Sequence, residues 1–193
     1  MRHILKLHRD LDANSLPQAD HDYTIETFDP AIHKQQWLDL NNLVFSHHPD
    51  QGNWAMQDLD NRMAEPWFDE KGFFLATENG NIEGFVWTKI HQDLINQDPV
   101  GELYVVGTHP DHAGRGIARA LSVEAINYLV NKGLKHAILY VDADNDYRDA
   151  IATAQTISIS CENPNPLLAR DIVMTHAMAF LDYDRSRKEK SSE

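Results

Sequence analysis

A glycine-rich stretch in the middle of the chain has the residue types of a phosphate-binding loop. The stretch Ala113-Gly114-Arg115-Gly116-Ile117-Ala118 follows an apolar strand pattern and a His-Pro turn, and it opens a helical pattern at Arg119. Glycine has no Cβ, so its backbone adopts positive φ and approaches a bulky anion closely. Backbone amides at a helix N-terminus face such an anion. The spacing is neither that of a Walker loop nor the full Gly-x-Gly-x-x-Gly of a dinucleotide site.

A carboxylate lies upstream on the strand that leads to this loop. Glu102 begins the run Glu102-Leu-Tyr-Val-Val-Gly107, whose other residues are apolar or aromatic. An ionised carboxylate on a buried strand costs free energy unless it is paired or functional. Glu102 is therefore a candidate proton acceptor, and the alternative is an exposed glutamate at the strand entry after Gly101.

Composition limits the classes of partner. The 193 residues have a net charge of −13, which disfavours nucleic acid and anionic lipid as partners. An acidic surface attracts a cationic substrate such as an amine, although solubility alone also accounts for it. The single cysteine, Cys161, fits a cytoplasmic location. No apolar run reaches membrane-spanning length, and no signal peptide is visible, so we expect no membrane association.

The order of secondary-structure patterns predicts one mixed α/β domain. Residues 1–21 read as a linker, residues 22–155 as the domain, and residues 156–193 as a divergent segment with a charged tail. Asp29-Pro30 is expected to begin the first helix, and Asn79-Gly80 predicts a hairpin turn. The predicted elements are strand 23–28, helix 29–45, helix 56–65, strands 72–77 and 84–91, strand 102–107, helix 115–132 and strand 137–142.

The glycine loop resembles the pyrophosphate loop of GCN5-related N-acetyltransferases (GNAT), which reads Gln/Arg-x-x-Gly-x-Gly/Ala, with Ala113 departing at the first position. Across about residues 22–145 the chain resembles the C-terminal half of the mycothiol synthase family. The resemblance implies an α/β GNAT fold, a mixed central β-sheet flanked by helices, with a divergent or incomplete C-terminal part. The segments that carry it are 41–54 with His-Pro-Asp-Gln-Gly, 65–69, 84–89 with Trp-Thr-Lys, 101–107 and 139–145.

This resemblance also implies a reaction and its partners. The family transfers acetyl from acetyl-CoA to the cysteinyl amine of a cysteine–glucosamine–inositol conjugate, which completes mycothiol. The expected partners are therefore acetyl-CoA as co-substrate and a small-molecule amine. Residues 1–21 resemble the connector between the two domains of that family, so we expect a further N-terminal GNAT-like domain.

The resemblance assigns a role to each candidate residue. Glu102 falls on the general base position, which also contacts the acceptor. A bulge at Val106, Gly107 and Thr108 would hold the acetyl carbonyl and the pantetheine arm. The pyrophosphate would lie on Ala113, Gly114, Arg115, Gly116, Ile117, Ala118 and Arg119, and Asn145 would begin a second CoA contact. Asp50, Lys89 and Tyr140 fall on positions that contact the acceptor.

The chain departs from the family after Asn145. The family continues with a Tyr-x-x-Leu-Gly-Phe segment, whose tyrosine is the general acid toward the CoA thiolate. Residues 146–157 contain no such segment, and Tyr147 lies too near Asn145 to replace it. An altered reading frame is one hypothesis. Two alternatives to mycothiol synthesis stay open: acetylation of another amine, and a non-catalytic acetyl-CoA-binding remnant.

Histidine pairs raise the question of a metal site. His109 and His112 are three residues apart, and His47 and His48 are adjacent. Because no cysteine or carboxylate cluster in the sequence completes a ligand set with them, we expect no metal.

Overall fold

The computed structural model describes residues 4–12, 16, 20–48, 51–92 and 98–142. Two predicted site residues, Asp50 and Asn145, lie outside these ranges, as does the predicted C-terminal segment 156–193. The strands and helices are β1 (Ile4–Asp10), β2 (Thr24–Thr27), α1 (Lys34–Val44), α2 (Met56–Met63), β3 (Phe73–Glu78), β4 (Asn81–His91), β5 (Val100–Thr108), α3 (Ile117–Asn131) and β6 (His136–Asp142), with short 3-10 helices at Glu70–Gly72 and Pro110–His112.

The described strands form one mixed sheet in the order β1-β6-β5-β4-β3-β2. Neighbouring strands are antiparallel except for β5 and β6, which are parallel and are joined through α3. A parallel pair needs such a crossover because its strands start at the same edge of the sheet. The expected mixed sheet flanked by helices is therefore confirmed.

Strand β5 is irregular on both of its edges. Against β4, Val105 pairs with Trp87 and Leu103 pairs with Thr88, so Tyr104 is an extra residue. This is a β-bulge, which bends the strand and increases its twist. Against β6, the described pairing covers only residues 101–102 with 137–138. Beyond Glu102 the two parallel strands separate, which leaves one edge of β5 without ladder hydrogen bonds to β6.

Two apolar layers hold the sheet, one on each face. The face toward α3 buries Leu103, Val86 and Leu139 against Leu121 and Leu129. The face toward α1 and α2 is mainly aromatic: the Trp87 and Phe73 rings stack with centroids 4.7 Å apart, and Phe28 stacks on Phe73 at 4.3 Å. Each such aromatic pair contributes about 1 kcal/mol beyond its buried area.

The turns between β2 and α1 and between β3 and β4 follow the sequence prediction, except that the first helix begins later than expected. Asn79 and Gly80 both have positive φ, 53° and 82°, which confirms the predicted hairpin turn. The first helix begins at Lys34, so its predicted start at Asp29 is wrong. The Asp29 carboxylate accepts the Ala31 N–H at 2.8 Å and closes a turn before the helix.

Strand β1 lies within residues 1–21, which the sequence predicted to be a linker. Residues 4–10 pair antiparallel with the whole of β6, and Leu7 is 6% exposed on the α3 side of the sheet. The alternation of apolar residues is short: Leu5 and Leu7 follow it, but Arg9 occupies the next position, so the local strand pattern was weak. The strand is stabilised by β6, a partner more than 120 residues away in sequence.

Candidate active site

The glycine loop has the backbone that an anion cradle requires. Gly114 and Gly116 have φ of 81° and 77°, and Gly116 is the N-cap of α3. A Cβ built on either glycine would meet no atom within 4 Å, so the space beside the loop is open. The Ala120 N–H donates to the Gly116 carbonyl at 3.0 Å, whereas amides before it in the first turn have no acceptor within the helix. These amides fit phosphate oxygens.

The side chain of Arg115 is not available to bind an anion in this loop. Its guanidinium donates to both carboxylate oxygens of Glu78, at 2.8 and 3.1 Å, and to the Asp22 carboxylate at 2.9 Å. Arg119 is different: among the described residues its guanidinium has no hydrogen bond or ion pair, and it lies in the first turn of α3. Arg119 is therefore the cation of the loop that is available to a ligand.

The ion pairs of Arg115 shift the titration of its partners. Hydrogen bonding to Arg115 lowers the pKa of Glu78, an effect that burial opposes in part. The same donor lowers the pKa of Asp22. In turn, the hydrogen bonds with Glu78 and Asp22 raise the pKa of Arg115. All three groups are charged at neutral pH, so the loop is anchored electrostatically to the start of β2 and the end of β3.

The end of β5 lies next to the loop but is regular there. Val106 pairs with Val86 and Gly107 pairs with Phe85, so the expected bulge at residues 106–108 is wrong, and the bulge lies at Tyr104. Gly107 has a packing reason instead, because its Cβ would lie 2.6 Å from the Phe85 ring. The Thr108 hydroxyl is buried and has no hydrogen-bond partner among the described residues. An unpaired buried hydroxyl is costly, and a ligand group would satisfy it.

Glu102 is buried, with an exposure of 7%. It lies directly opposite Lys89 on β4 and Ile138 on β6. Its Oε2, however, is 2.6 Å from the Nε2 of His91, two residues further along β4 than Lys89. His91 was not predicted as a site residue from the sequence, although strand alternation places its side chain on the same face as that of Lys89.

An open cleft of about 480 Å³ lies beside this pair, over β5, β6 and β1. It is on the face of the sheet that α1 and α2 cover elsewhere. Tyr140 is 48% exposed and lines the cleft, and the ammonium of Lys6 lies 6.0 Å from the centroid of its ring. Its contact with the acceptor stays a prediction. The lining residues are Lys6, His8, His91, Asp98, Val100, His136, Ile138 and Tyr140.

Lys89 is held by aromatic rings on the same face. Its Nζ lies 4.9 Å from the centroid of the Trp67 ring and 5.6 Å from that of Tyr104, the bulge residue. Such cation–π contacts contribute about 0.5–2 kcal/mol each. Burial raises the pKa of Tyr104, so its ring stays neutral beside the ammonium. The bulge thus orients Lys89, which the sequence had placed in the acceptor site.

In the part of the chain that the structure describes, two groups of histidines and carboxylates have their nitrogen and oxygen atoms within 4.8 Å of one another. One comprises His8, Asp10 and His136, and the other comprises Glu83, His109 and His112. Glu83 was not predicted from the sequence, and its carboxylate lies 3.1 Å from the His112 Nδ1. That nitrogen is also 3.2 Å from the Arg115 guanidinium, whose positive charge opposes a cation at this place. The second group is therefore part of the ion-pair network around the loop.

The class of this chain is defined by three features: a strand, the glycine loop that follows it at a helix N-terminus, and a pair of parallel strands that separate. Residues 34–155 match the model of the acetyltransferase (GNAT) family, and the chain belongs to that family. None of the helices among the described residues has the length and apolar character needed to cross a membrane.

Within this class, the chain is similar to curated mycothiol acetyltransferases. It is 43% identical over 143 residues to that of Catenulispora acidiphila, which covers 74% of this chain and 46% of the relative. It is 46% identical to that of Streptomyces griseus, covering 70% and 42% of the two chains. It is 38% identical to that of Thermomonospora curvata, and the match covers 86% of this chain and 57% of the relative. The chain thus spans about half the length of these relatives, and the expected N-terminal domain and the domain boundaries stay predictions.

Solved structures agree on the fold. A GCN5-related N-acetyltransferase from Sphaerobacter thermophilus superposes with a TM-score of 0.57 at 21% identity, covering 89% of this chain and 47% of that one. The ribosomal-protein-S18-alanine N-acetyltransferase of Escherichia coli has a TM-score of 0.52 at 21% identity, covering 67% and 74%. At such identities the likeness concerns the fold alone.

Proposed function

We propose that the chain is an acetyl-CoA-dependent N-acetyltransferase whose acceptor is the cysteinyl amine of a cysteine–glucosamine–inositol conjugate. One observation carries the proposal: β5 brings a buried carboxylate, Glu102, to the point where β5 and β6 separate, and then runs on into the glycine loop. A proton acceptor and an anion cradle are therefore joined by one rigid strand. The acceptor identity rests on the mycothiol acetyltransferases that resemble this chain.

Acetyl-CoA supplies an acetyl group activated as a thioester. Three features of the loop suit its pyrophosphate: the open space at Gly114 and Gly116, the amides at the start of α3 that have no acceptor within the helix, and the guanidinium of Arg119. Towards the acetyl end, the edge of β5 at Val106 and Gly107, which has no ladder pairing with the described part of β6, offers backbone donors and acceptors, and Thr108 offers its buried hydroxyl. Arg115 contributes through its backbone, since its side chain is paired with Glu78 and Asp22.

The acceptor amine enters as an ammonium at neutral pH and must lose a proton before it attacks. The pair formed by Glu102 and His91 is placed to draw this proton, because Glu102 is buried next to the cleft and pairs only with His91 among the described residues. The ammonium of Lys89, which lies against the Trp67 ring, and the half-exposed side chain of Tyr140 are suited to the hydroxyl groups of a sugar-like acceptor.

Calorimetry with acetyl-CoA and a turnover assay with the cysteinyl conjugate test the proposal together. We expect Glu102→Gln to lower kcat by roughly 100-fold or more while the Kd of acetyl-CoA stays within about twofold of wild type. Arg119→Gln should weaken acetyl-CoA binding by about tenfold, whereas Lys132→Gln, at the other end of α3, should not.

Two outcomes would contradict the proposal in different ways. Turnover of free cysteine or glucosamine, but not of the conjugate, would refute the acceptor and keep the enzyme class. Binding of acetyl-CoA without turnover of any of these amines would identify the chain as a binding remnant.

A further inference from the structure

The group that borders the cleft beside Glu102 is His91. The His91 side chain is 30% exposed and lines the cleft, whereas the Glu102 side chain is 9% exposed and is not among the lining residues. The imidazole therefore lies between the carboxylate and the space where an acceptor amine would bind. An ammonium bound in the cleft would therefore contact the His91 side chain, with Glu102 lying behind it.

The contact between the two side chains fixes which ring nitrogen is basic. An ionised carboxylate only accepts hydrogen bonds, so with Glu102 ionised the 2.6 Å contact has His91 Nε2 as donor and Glu102 Oε2 as acceptor. In a neutral ring the lone pair then lies on Nδ1. Among the described residues, Nδ1 of His91 has no hydrogen-bond partner. The ring is thus held in the tautomer that has a free basic nitrogen.

We propose that His91 is a catalytic residue, the base that takes the proton from the acceptor ammonium, and that Glu102 is its positioning residue. The inference rests on the proposed function and changes which side chain touches the acceptor. Glu102 fixes the tautomer of the ring and stabilises the imidazolium that forms, as a buried carboxylate does in other histidine-based sites.

One N–H bond of the ammonium breaks and its proton binds His91 Nδ1. The nitrogen lone pair then forms a bond to the thioester carbon, and the carbon–sulfur bond breaks when the tetrahedral intermediate collapses. The nitrogen loses a second proton as the amide forms. One of the two protons ends on the CoA sulfur, and the other leaves to solvent.

Other titratable and charged groups face His91 from each neighbouring element, and they enter any pH profile. They are Lys89 on its own strand, Asp98 before β5, Glu102 on β5, His136 and Tyr140 on β6, and Lys6 and His8 on β1.

Kinetics of His91→Gln and of His91→Ala test the assignment in the 193-residue chain. We expect His91→Gln to lower kcat for the conjugate by roughly 100-fold near neutral pH. The loss should shrink towards about pH 9, where more of the amine is already deprotonated, and the Kd of acetyl-CoA should not change. Added imidazole should restore part of the activity of His91→Ala and none to Glu102→Gln. His47→Gln, an exposed histidine beyond α1, is the control and should behave as wild type.

A long-range nitrogen–proton correlation spectrum of the histidine rings gives a readout that needs no acceptor. His91, assigned by its loss in His91→Gln, should show a protonated Nε2 and an unprotonated Nδ1 near about pH 8. A protonated Nδ1 at that pH would overturn the proposal, because no basic nitrogen would be free.

The kinetic outcomes separate the two proposals. A wild-type kcat and pH profile in His91→Gln, together with an inactive Glu102→Gln, would show that Glu102 acts directly and would refute only the role of His91. A wild-type chain that acetylates no amine would refute the proposed function, and the catalytic role of His91 with it.

Discussion

The Arg115 guanidinium donates a hydrogen bond to each carboxylate oxygen of Glu78, with Nη1–Oε2 and Nη2–Oε1 distances of 2.8 and 3.1 Å. This two-point contact joins the glycine loop to the end of β3, across 37 residues of sequence. A parallel pair of N–H···O bonds fixes orientation as well as distance. The sequence predicted that the Arg115 side chain would bind a phosphate. In the structure this side chain instead holds in place the loop backbone that would bind the phosphate.

The stability that Arg115 provides should depend on pH. Its hydrogen bonds lower the pKa of Glu78 and of Asp22 in the folded chain. Stabilisation by a carboxylate of lowered pKa is fully present above the unfolded value, about 4, and is lost as the pH falls through the folded value. We therefore expect the Tm difference between wild type and Arg115→Gln to be largest above about pH 5 and to vanish at lower pH. A constant difference in thermal melts across this range would contradict the ion-pair origin.

Gly116 should be needed for acetyl-CoA binding beyond its effect on folding. Gly116→Ala strains a residue with φ of 77° and adds a methyl group to the open side of the loop. Gly80→Ala is a matched control, since Gly80 has φ of 82° and the same open surroundings but lies in the β3–β4 turn. Both changes should cost about 1 kcal/mol of stability. Only Gly116→Ala should weaken the calorimetric Kd of acetyl-CoA, and equal affinities in the two variants would argue against the loop as the cradle.

Lys89 should act on the acceptor and leave acetyl-CoA binding unaffected. Lys89→Met keeps the apolar stem against Trp67 and Tyr104 but removes the charge that the rings hold. A lost hydrogen bond from a charged donor is worth about 1.5–3 kcal/mol, so KM for the conjugate should rise by roughly tenfold or more. Lys132→Met, whose ammonium lies 5.2 Å from the Tyr128 ring on the far face, is the control. An unchanged KM in Lys89→Met would remove Lys89 from the acceptor site.

Local patterns predicted most of the sheet and the cradle. The Asn79-Gly80 turn, the α3 helix up to Gly133 and the positive-φ glycines of the loop are local features, and each was confirmed. The exact strand irregularities were not predictable in the same way. Gly107 fitted a bulge as well as it fitted close packing on Phe85, and only the register against β4 places the extra residue at Tyr104.

Long-range pairing explains what the sequence analysis missed at the site. His91 closes the strand that begins at Asn81, but its relation to Glu102 depends on how β4 and β5 align, and the bulge sets that alignment. The sequence predicted Arg115 as a phosphate ligand, but in the structure its guanidinium is paired with Glu78 and Asp22. Polar side chains take their partners from the tertiary fold, so residue type and spacing alone do not determine their roles.

The strand β1 should prove part of the folded domain. Leu7 is 6% exposed and packs with Leu139 and Ile126 in the apolar layer beneath α3. Leu7→Ala removes three heavy atoms from this layer and should lower the free energy of unfolding by about 2–4 kcal/mol. Lys6→Ala, the neighbouring residue on the opposite face, should change it by about 0.5 kcal/mol or less. Denaturant unfolding measures both. If Leu7→Ala were as stable as Lys6→Ala, residues 4–10 would be a linker, and β6 would need another strand to satisfy its outer edge.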